Sequence, residues 1–366
     1  MVGGGQGAFI GAVHRIAARI DDRWELVAGA LSSDLERAMA SASDLGIAPD
    51  RSYGDYAKMA EIEAARSDGI DAVAIVTPNH VHAAPVIAFL KAGIAVICDK
   101  PLCATQDEAT EIAKAVKAAK VPFVLTHNYT GYPLIRQARA MVAAGELGTI
   151  RVVQAEYAQD WLTEAVEETG NKQAEWRTDP ARSGGGGAIG DIGTHAFNLL
   201  SFVTGLRAEA LAADLQSFGP GRRVDDNAHI MLRMEGGARG MLWASQVAVG
   251  NENGLRLRIY GDKGGLEWGQ ENPNVMTLAR VGEPKKIVTR GGAGLGGGAG
   301  QWTRIPPGHP EGYLEGFANI YADAADLIGG HGDRALLPGI EAGLDGMWFI
   351  DACIRSSKAD GAWVAR

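Results

Sequence analysis

The sequence predicts two domains: an α/β domain built on a doubly wound parallel sheet over residues 1–126, and an α+β domain with a large, mainly antiparallel sheet over 127–366. Three observations carry this. At 366 residues with 46% hydrophobic side chains, the chain exceeds what one core usually holds and can fill two. In its first third, short continuous apolar runs alternate with amphipathic stretches, the pattern of parallel strands buried on both faces between helices. Beyond residue 127 the strand-like runs alternate apolar with polar residues and are separated by Gly, Asn and Asp, as in antiparallel strands with one exposed face.

The chain opens MVGGGQGAFIGAVHRIAARI. Gly3, Gly5 and Gly11 lead into a run in which Val13, Ile16, Ala17 and Ile20 share a face while Arg15, Arg19 and Asp21 are polar, so a glycine turn feeds a helix. Such a turn lets backbone N–H groups approach a pyrophosphate, and the helix N-terminus stabilises its charge. Gly3, Gly5, Gln6, Phe9 and Ile10 are the candidate contacts. The spacing departs from the usual G-x-G-x-x-G, because Gln6 to Ile10 separate the last two glycines and only Met1 and Val2 remain for a first strand. WELVAGALSS (24–33) is expected to be the second strand, with a helix over 34–44. An acidic residue about 20 positions past the glycines would bind the ribose of NAD. Here Ser32 and Ser33 hold that place, with Asp34 next and Arg37 one turn on, a set that suits a 2′-hydroxyl or a 2′-phosphate. NAD and NADP both remain open as cofactor.

IDAVAIVTPNHVH (70–82) is a continuous apolar strand closed by Thr77, Pro78 and Asn79, and a helix follows through 92. IAVICDKP (94–101) is another buried strand; a helix over 106–119 and VPFVLTHNY (121–129) complete the alternation. In such sheets ligands sit beyond the carboxyl ends of the strands, so Thr77, Pro78, Asn79, His82, Asp99 and Lys100 are further candidate cofactor contacts.

The formal net charge of −9 and pI near 5.4 supply no basic stripe for nucleic acid and no polybasic patch for an anionic membrane. No apolar run approaches the roughly 20 residues of a bilayer span, and the N-terminus lacks a signal-peptide pattern. A cytoplasmic protein is expected. Cys98, Cys103 and Cys353 form neither an even disulfide set nor a zinc spacing, and reduced, buried thiols are the expectation.

In the second domain, segments 150–161, 228–235, 240–249, 255–268 and 275–281 read as strands, and 312–328 and 340–356 as helices. The glycine-rich 291–300 reads as a mobile loop. GGGGAIGDIGTHAFNLLSFVTG (184–205) places Asp191 and His195 four residues apart on one helix face, with Asn198 one turn on, while Ile192, Ala196, Leu199, Leu200 and Val203 form an apolar stripe that anchors the helix. Glycines before the pair would let backbone pass close to a ligand.

The glycine-rich turn, TPNH with His82, the CDKP of 98–101 and the GGGAIGDIGTH of 185–195 occur in the order and spacing of the Gfo/Idh/MocA oxidoreductases, which the sequence resembles over essentially its whole length. HPEGYLEGFANIY (309–321) is similar to a C-terminal segment of some sugar-acting members. The resemblance implies a Rossmann-type first domain and an NAD- or NADP-dependent dehydrogenase or reductase of a sugar, inositol or related polyol. It also implies a homodimer or homotetramer, and Lys100, Asp191 and His195 as the catalytic set.

The residues themselves suit alcohol oxidation. A histidine near a helix N-terminus tends to stay neutral and can accept the hydroxyl proton, the role expected of His195. Lys100 could stabilise a developing alkoxide, aimed by a cis Pro101. Asp191 could hydrogen-bond the substrate or balance the lysine. Asn128, Tyr129, Trp161 and Arg177 are candidate substrate contacts with Lys100, Asp191 and His195, and Asp160, Trp176 and Asp179 lie on the same kind of loop. Plainer roles compete: Asp191 as a helix cap, His195 as a satisfied core histidine, or both as metal ligands lacking an evident third. A nucleotide-binding sensor without turnover and a sugar oxidoreductase with a non-dissociating cofactor also remain open.

Overall fold

The computed structural model describes all of residues 1–366 except 294, 297 and 298, which lie in the glycine run expected to be a mobile loop, so that expectation falls partly outside the described residues. The chain divides into two compact units, Met1–Asn128 with Tyr313–Met347, and Tyr129–Gly312 with Trp348–Arg366.

The first unit runs β1 (Val2–Gly3), α1 (Phe9–Arg19), α2 (Leu35–Asp44), α3 (Tyr56–Ala65), β2 (Ala72–Val76), α4 (Ala83–Lys91), β3 (Ala95–Cys98), α5 (Gln106–Ala118) and β4 (Phe123–Leu125). The continuous apolar stretches AVAIV, AVIC and FVL become the parallel strands β2, β3 and β4. Their side chains Val73, Ile75, Val96, Ile97 and Leu125 are buried. Among the described residues the sheet order is β1-β2-β3-β4, with Val2 opposite Ile75. Local signals set the helix starts: Asp34 accepts from Arg37 N, Asp55 from Ala57 N and Lys58 N, and Thr105 with Glu108 forms a capping box.

Two expectations are corrected here. The strand expected over 24–33 shrinks to Gly29 and Ala30, which bridge Ser52 and Val2. Trp24 instead donates its indole N–H to Tyr321 O and stacks edge-on against that ring, so the start of the run packs rather than pairs. On α1 the buried residues are Gly11, Val13, His14 and Ala17, whereas Ile16 is 42% exposed.

The second unit begins with α6 (Pro133–Ala143), β5 (Ile150–Ala158), α7 (Lys172–Arg177), α8 (Pro180–Ser183) and α9 (Thr194–Thr204). It continues with β6 (Ala208–Gln216), β7 (Asn227–Met234), β8 (Arg239–Ser245), β9 (Gly254–Gly261), β10 (Gly264–Gly269), β11 (Val275–Arg280) and β12 (Lys286–Thr289). After α10 (Tyr313–Ile328) and α11 (Ile340–Lys358), the chain ends in β13 (Val364–Ala365). Among the described residues the strands form one sheet in the order β12-β11-β10-β9-β5-β8-β7-β6-β13. Only the β5–β8 pair in it is parallel. The stretch 255–268 is two strands, β9 and β10, turned at Asp262 and Lys263. Along β7, Ala228, Ile230 and Leu232 are buried while His229, Met231 and Arg233 face out, the alternation of a sheet with one open face. The apolar stripe of α9 is buried as expected.

The boundary expected at 126/127 also needs correction, because 313–347 return to the first unit. Phe317, Ile320, Tyr321 and Ala324 of α10 pack with Val13 and Ala17 of α1 in one core cluster, and Leu125 N donates to Pro338 O at 2.8 Å. The amphipathic pattern of 312–328 defines a helix but not which sheet that helix covers.

The α1 turn depends on one close approach. A Cβ on Gly11 would lie 2.4 Å from the Gly4 Cα, so the helix can sit on the glycine turn only without a side chain there. Gly4, not Gly5, is its partner. Gly11→Ala should lower stability by about 1–3 kcal/mol through overpacking and weaken dinucleotide binding, measured by urea unfolding with and without NAD.

Candidate functional site

In the first unit the candidate residues gather at the carboxyl ends of the strands. Gly3 and Gly4 adopt φ of +77° and +74°, and α1 starts at Phe9 with no side chain capping it and no acidic residue in its first turn. An uncapped helix start beside glycines that admit close approach fits a pyrophosphate. Phe9 is 62% exposed beside that turn, and Ile10 is half-buried against the adjacent cores. Gln6 is held over α2, its N–H on Ser41 Oγ and its amide on Asp44. At the end of β2, Thr77 Oγ1 is buried with no hydrogen-bond partner among the described residues, an atom suited to a bound ligand. Pro78 follows, and Asn79 is buried. Ser32 Oγ accepts from Asp34 N, Asp34 is occupied as the α2 cap, and Ser33 and Arg37 are exposed. These residues fit a dinucleotide.

His82 is placed differently from its expected role. Its ring is buried, with Nδ1 2.9 Å from Pro101 O and Nε2 2.8 Å from Thr77 O. The ring lies between a carbonyl of the TPN turn and one of the DKP turn, and as a neutral imidazole it donates its single N–H to one of them. Burial pushes its pKa down.

The Lys100–Pro101 bond is cis, as expected. Asp99 accepts from Lys100 N and from Thr126 Oγ1, both at 2.9 Å. Burial would raise its pKa, but the His14 ring, Nε2 3.8 Å away, and the charge of Lys100 pull it down to about 2. Asp99 is therefore an anionic brace under the Lys100 backbone. His14 in turn bonds Tyr321 OH at 2.8 Å, so a residue of α1 and one of α10 support the strand end that carries the lysine. The sequence pattern does not single out His14, because the apolar face shared by Val13, Ile16, Ala17 and Ile20 leaves it out. Nor does it single out His127, buried and pushed down to about 3 by burial and by Lys100. Asn128 is buried beside it in sequence.

In the second unit the helix carrying Asp191 and His195 starts before α9. Residues Ile189–Gly193 form a π turn, closed by Thr194 N donating to Ile189 O. His195 therefore lies well inside the helical segment rather than at its N-terminus, which removes the dipole argument for its neutrality. Asp191 does not cap it. The cap is Asp225, whose Oδ1 accepts from Gly187 N at 2.7 Å and Oδ2 from Ile189 N at 2.8 Å, while its carbonyl accepts from Ala188 N at 2.8 Å. A Cβ on Gly187 would fall 2.0 Å from Asp225 O. The glycine is required there by this cap, a nearer cause than the expected passage beneath a ligand.

Asp191 Oδ2 accepts from Arg177 Nε at 3.2 Å and Gln246 Nε2 at 2.9 Å. Arg177 is itself fixed by Gln173 and lies over the Trp176 ring, 4.3 Å from its centroid. His195 is 8% exposed, with the Tyr129 ring edge-on at 4.8 Å and the Tyr157 ring at 6.2 Å. The site thus joins a carboxylate braced by two donors to an imidazole walled by phenols. Trp161 donates to Gln159 Oε1 at 3.2 Å. Asp160 and Asp179, expected on sugar hydroxyls, hold loops instead: Asp160 accepts from Gly250 N, and Asp179 caps α8 and pairs with Arg223. Asp225, Gln246, Tyr157 and Asn253 carry no sequence signal, because each acts on a neighbour distant in the chain. The three cysteines are buried thiols. Among the described residues, no three His, Cys, Asp or Glu side chains group to hold a metal, and no helix is long and apolar enough to cross a membrane.

Burial pushes the Asp225 carboxyl up to about 6 against the pull of the Gly187 and Ile189 N–H groups. The folded chain then keeps this proton across the range from its unfolded value near 4 to 6. Its contribution to stability is full at the acid end of that range and is lost as pH rises through the folded value. Asp225→Asn should flatten this part of the stability curve and, by losing one acceptor, cost about 1 kcal/mol at neutral pH, read by urea unfolding across pH.

Both units match known proteins. Residues 1–138 match the oxidoreductase family with an NAD-binding Rossmann fold, and 135–267 match the GFO/IDH/MocA C-terminal domain. The chain is similar to the crystal structure of an oxidoreductase from Sinorhizobium meliloti, with 55% identity and a TM-score of 0.91 over 100% of this chain and 98% of that one. An inositol dehydrogenase homolog from Azotobacter vinelandii, in complex with NADH and myo-inositol, is 39% identical with a TM-score of 0.91, covering 100% of this chain and 96% of its own. The levoglucosan dehydrogenase of Pseudarthrobacter phenanthrenivorans is 28% identical over 76% of this chain and 75% of its own length.

Proposed function

The chain belongs to the Gfo/Idh/MocA oxidoreductases, and on that premise we propose that it is an NAD(P)-dependent dehydrogenase of a cyclic polyol or sugar, with Lys100, Asp191 and His195 as its catalytic residues. The observation that carries the reading is the pairing, on one helical segment, of a braced carboxylate with a buried imidazole that aromatic rings wall off from water. The bound nicotinamide supplies the hydride acceptor; the protein orients the substrate and moves its proton. His195 takes the hydroxyl proton, Lys100 lowers the cost of alkoxide character on that oxygen, and Asp191 accepts a substrate hydroxyl. Arg177 acts by bracing Asp191. The Azotobacter relative with NADH and myo-inositol and the levoglucosan dehydrogenase support the substrate class.

The open sheet face supports self-association as a homodimer or homotetramer. Met231 and Met241 pair across β7 and β8 there, and both are more than half exposed, near Trp243 and Val152. Apolar side chains in a row on a sheet suit an isologous contact. Three buried thiols suit a reducing compartment, and we place the protein in the cytoplasm.

Purified protein should reduce NAD or NADP with at least one of myo-inositol, other cyclic polyols, aldoses or levoglucosan, followed by nicotinamide absorbance. Lys100→Ala should lower kcat by at least about 10²-fold while nucleotide binding persists. Tight nucleotide binding without turnover across the panel would instead favour a sensor, and nucleotide that copurifies and does not exchange would favour a non-dissociating cofactor.

A further inference from the structure

Three side chains of the second unit close a ring of hydrogen bonds next to His195. The Tyr157 hydroxyl donates to Asn253 Oδ1 at 2.7 Å, the Tyr129 and Tyr157 hydroxyls are 2.6 Å apart, and Asn253 Nδ2 donates to the Tyr129 oxygen at 3.5 Å. The direction follows from the donor inventory. With its proton committed to Asn253, Tyr157 can only accept from Tyr129, and the Tyr129 oxygen accepts from the amide. Asn253 has no capacity left over: Oδ1 also accepts from Gln159 Nε2 at 2.9 Å, and Nδ2 also donates to Gln270 Oε1 at 3.0 Å. Its backbone N–H is held by Glu271 Oε1 at 3.0 Å. Tyr129 has further contacts on both faces of its position, stacked against Tyr132 at 5.9 Å and edge-on to His195 at 4.8 Å, with interplanar angles of 18° and 76°.

A ring in which every proton has one acceptor has one low-energy arrangement, so the Tyr129 ring cannot rotate or tilt without breaking two bonds. The imidazole packed on it inherits that constraint. We propose that Tyr157 and Asn253 are positioning residues for His195, fixing the plane of its ring through Tyr129. The proposal rests on the reading of His195 as the base. It goes further in assigning a role to two residues from β5 and from the turn before β9 that need not touch substrate. Proton transfer requires the accepting nitrogen within hydrogen-bond reach along a narrow direction, so a freed ring loses rate more than affinity.

The test uses the full-length protein and three variants. Tyr157→Phe removes one hydroxyl at constant ring volume, and Asn253→Asp keeps the side-chain shape while removing both amide donors. His195→Gln identifies the His195 ring signals by their loss in 1H–15N spectra. In both Tyr157→Phe and Asn253→Asp those signals should shift or broaden in the absence of substrate. With NAD and myo-inositol as probes, kcat should fall about tenfold or more while both KM values stay within about twofold. If His195→Gln is inactive but both variants keep wild-type His195 signals and kcat, the proposal is overturned and the base assignment stands. If His195→Gln turns over normally, the base assignment itself fails. A matched rise in KM and fall in kcat, with lost thermal stability, would mean that the ring serves only folding and would also overturn the proposal.

Discussion

The helical segment that bears Asp191 and His195 exists because one aspartate closes its open end. Asp225 delivers two carboxylate oxygens and its own carbonyl to the N–H groups of residues 187, 188 and 189. A helix start buried without such acceptors would leave several donors unsatisfied. The backbone of residue 187 must pass so close to Asp225 that any side chain would collide. From this contact follow the π turn, the placing of Asp191 within reach of Arg177 and Gln246, and the burial of the apolar stripe of α9 beneath the sheet. Asp226, next in the chain, does the same work for the β6–β7 connection, accepting from Phe218 N, Gly219 N and Arg222.

The first unit solves a different problem at its strand ends. There the polar turns after β2 and β3 are held in shape by side chains of the same unit. A buried imidazole, His82, packs between the two turns and donates to a carbonyl of one of them, and Asp99 holds the backbone of Lys100. Behind them α10 packs Tyr321 and Phe317 against α1, with His14 between. These turns are thus shaped by side chains packed behind and between them.

Charge is managed by the same division of labour. The groups proposed as reactive are braced by neighbouring side chains: Asp191 by an arginine and an amide, His195 by phenol rings. Buried groups that would be awkward when charged are kept neutral, as His127 is by burial beside Lys100.

Much of this was legible in the residues alone. Continuous apolar runs defined β2, β3 and β4, alternation defined β7 and β8, and the spacing of Asp191 and His195 marked the helix that carries them, because side-chain period is a local property of backbone geometry. The motifs DKP and GDIGTH, by their resemblance, pointed to the family. What tertiary structure alone decided was pairing at a distance. Nothing local says that 313–347 cover α1, that Trp24 leaves a strand to pack on Tyr321, that Asp225 caps a helix begun 38 residues earlier, or that Asn253 closes a ring with Tyr129. Each is a contact between segments whose own patterns are satisfied in several folds. The choice among them lies in burial and hydrogen-bond geometry, which exist only once the chain is packed.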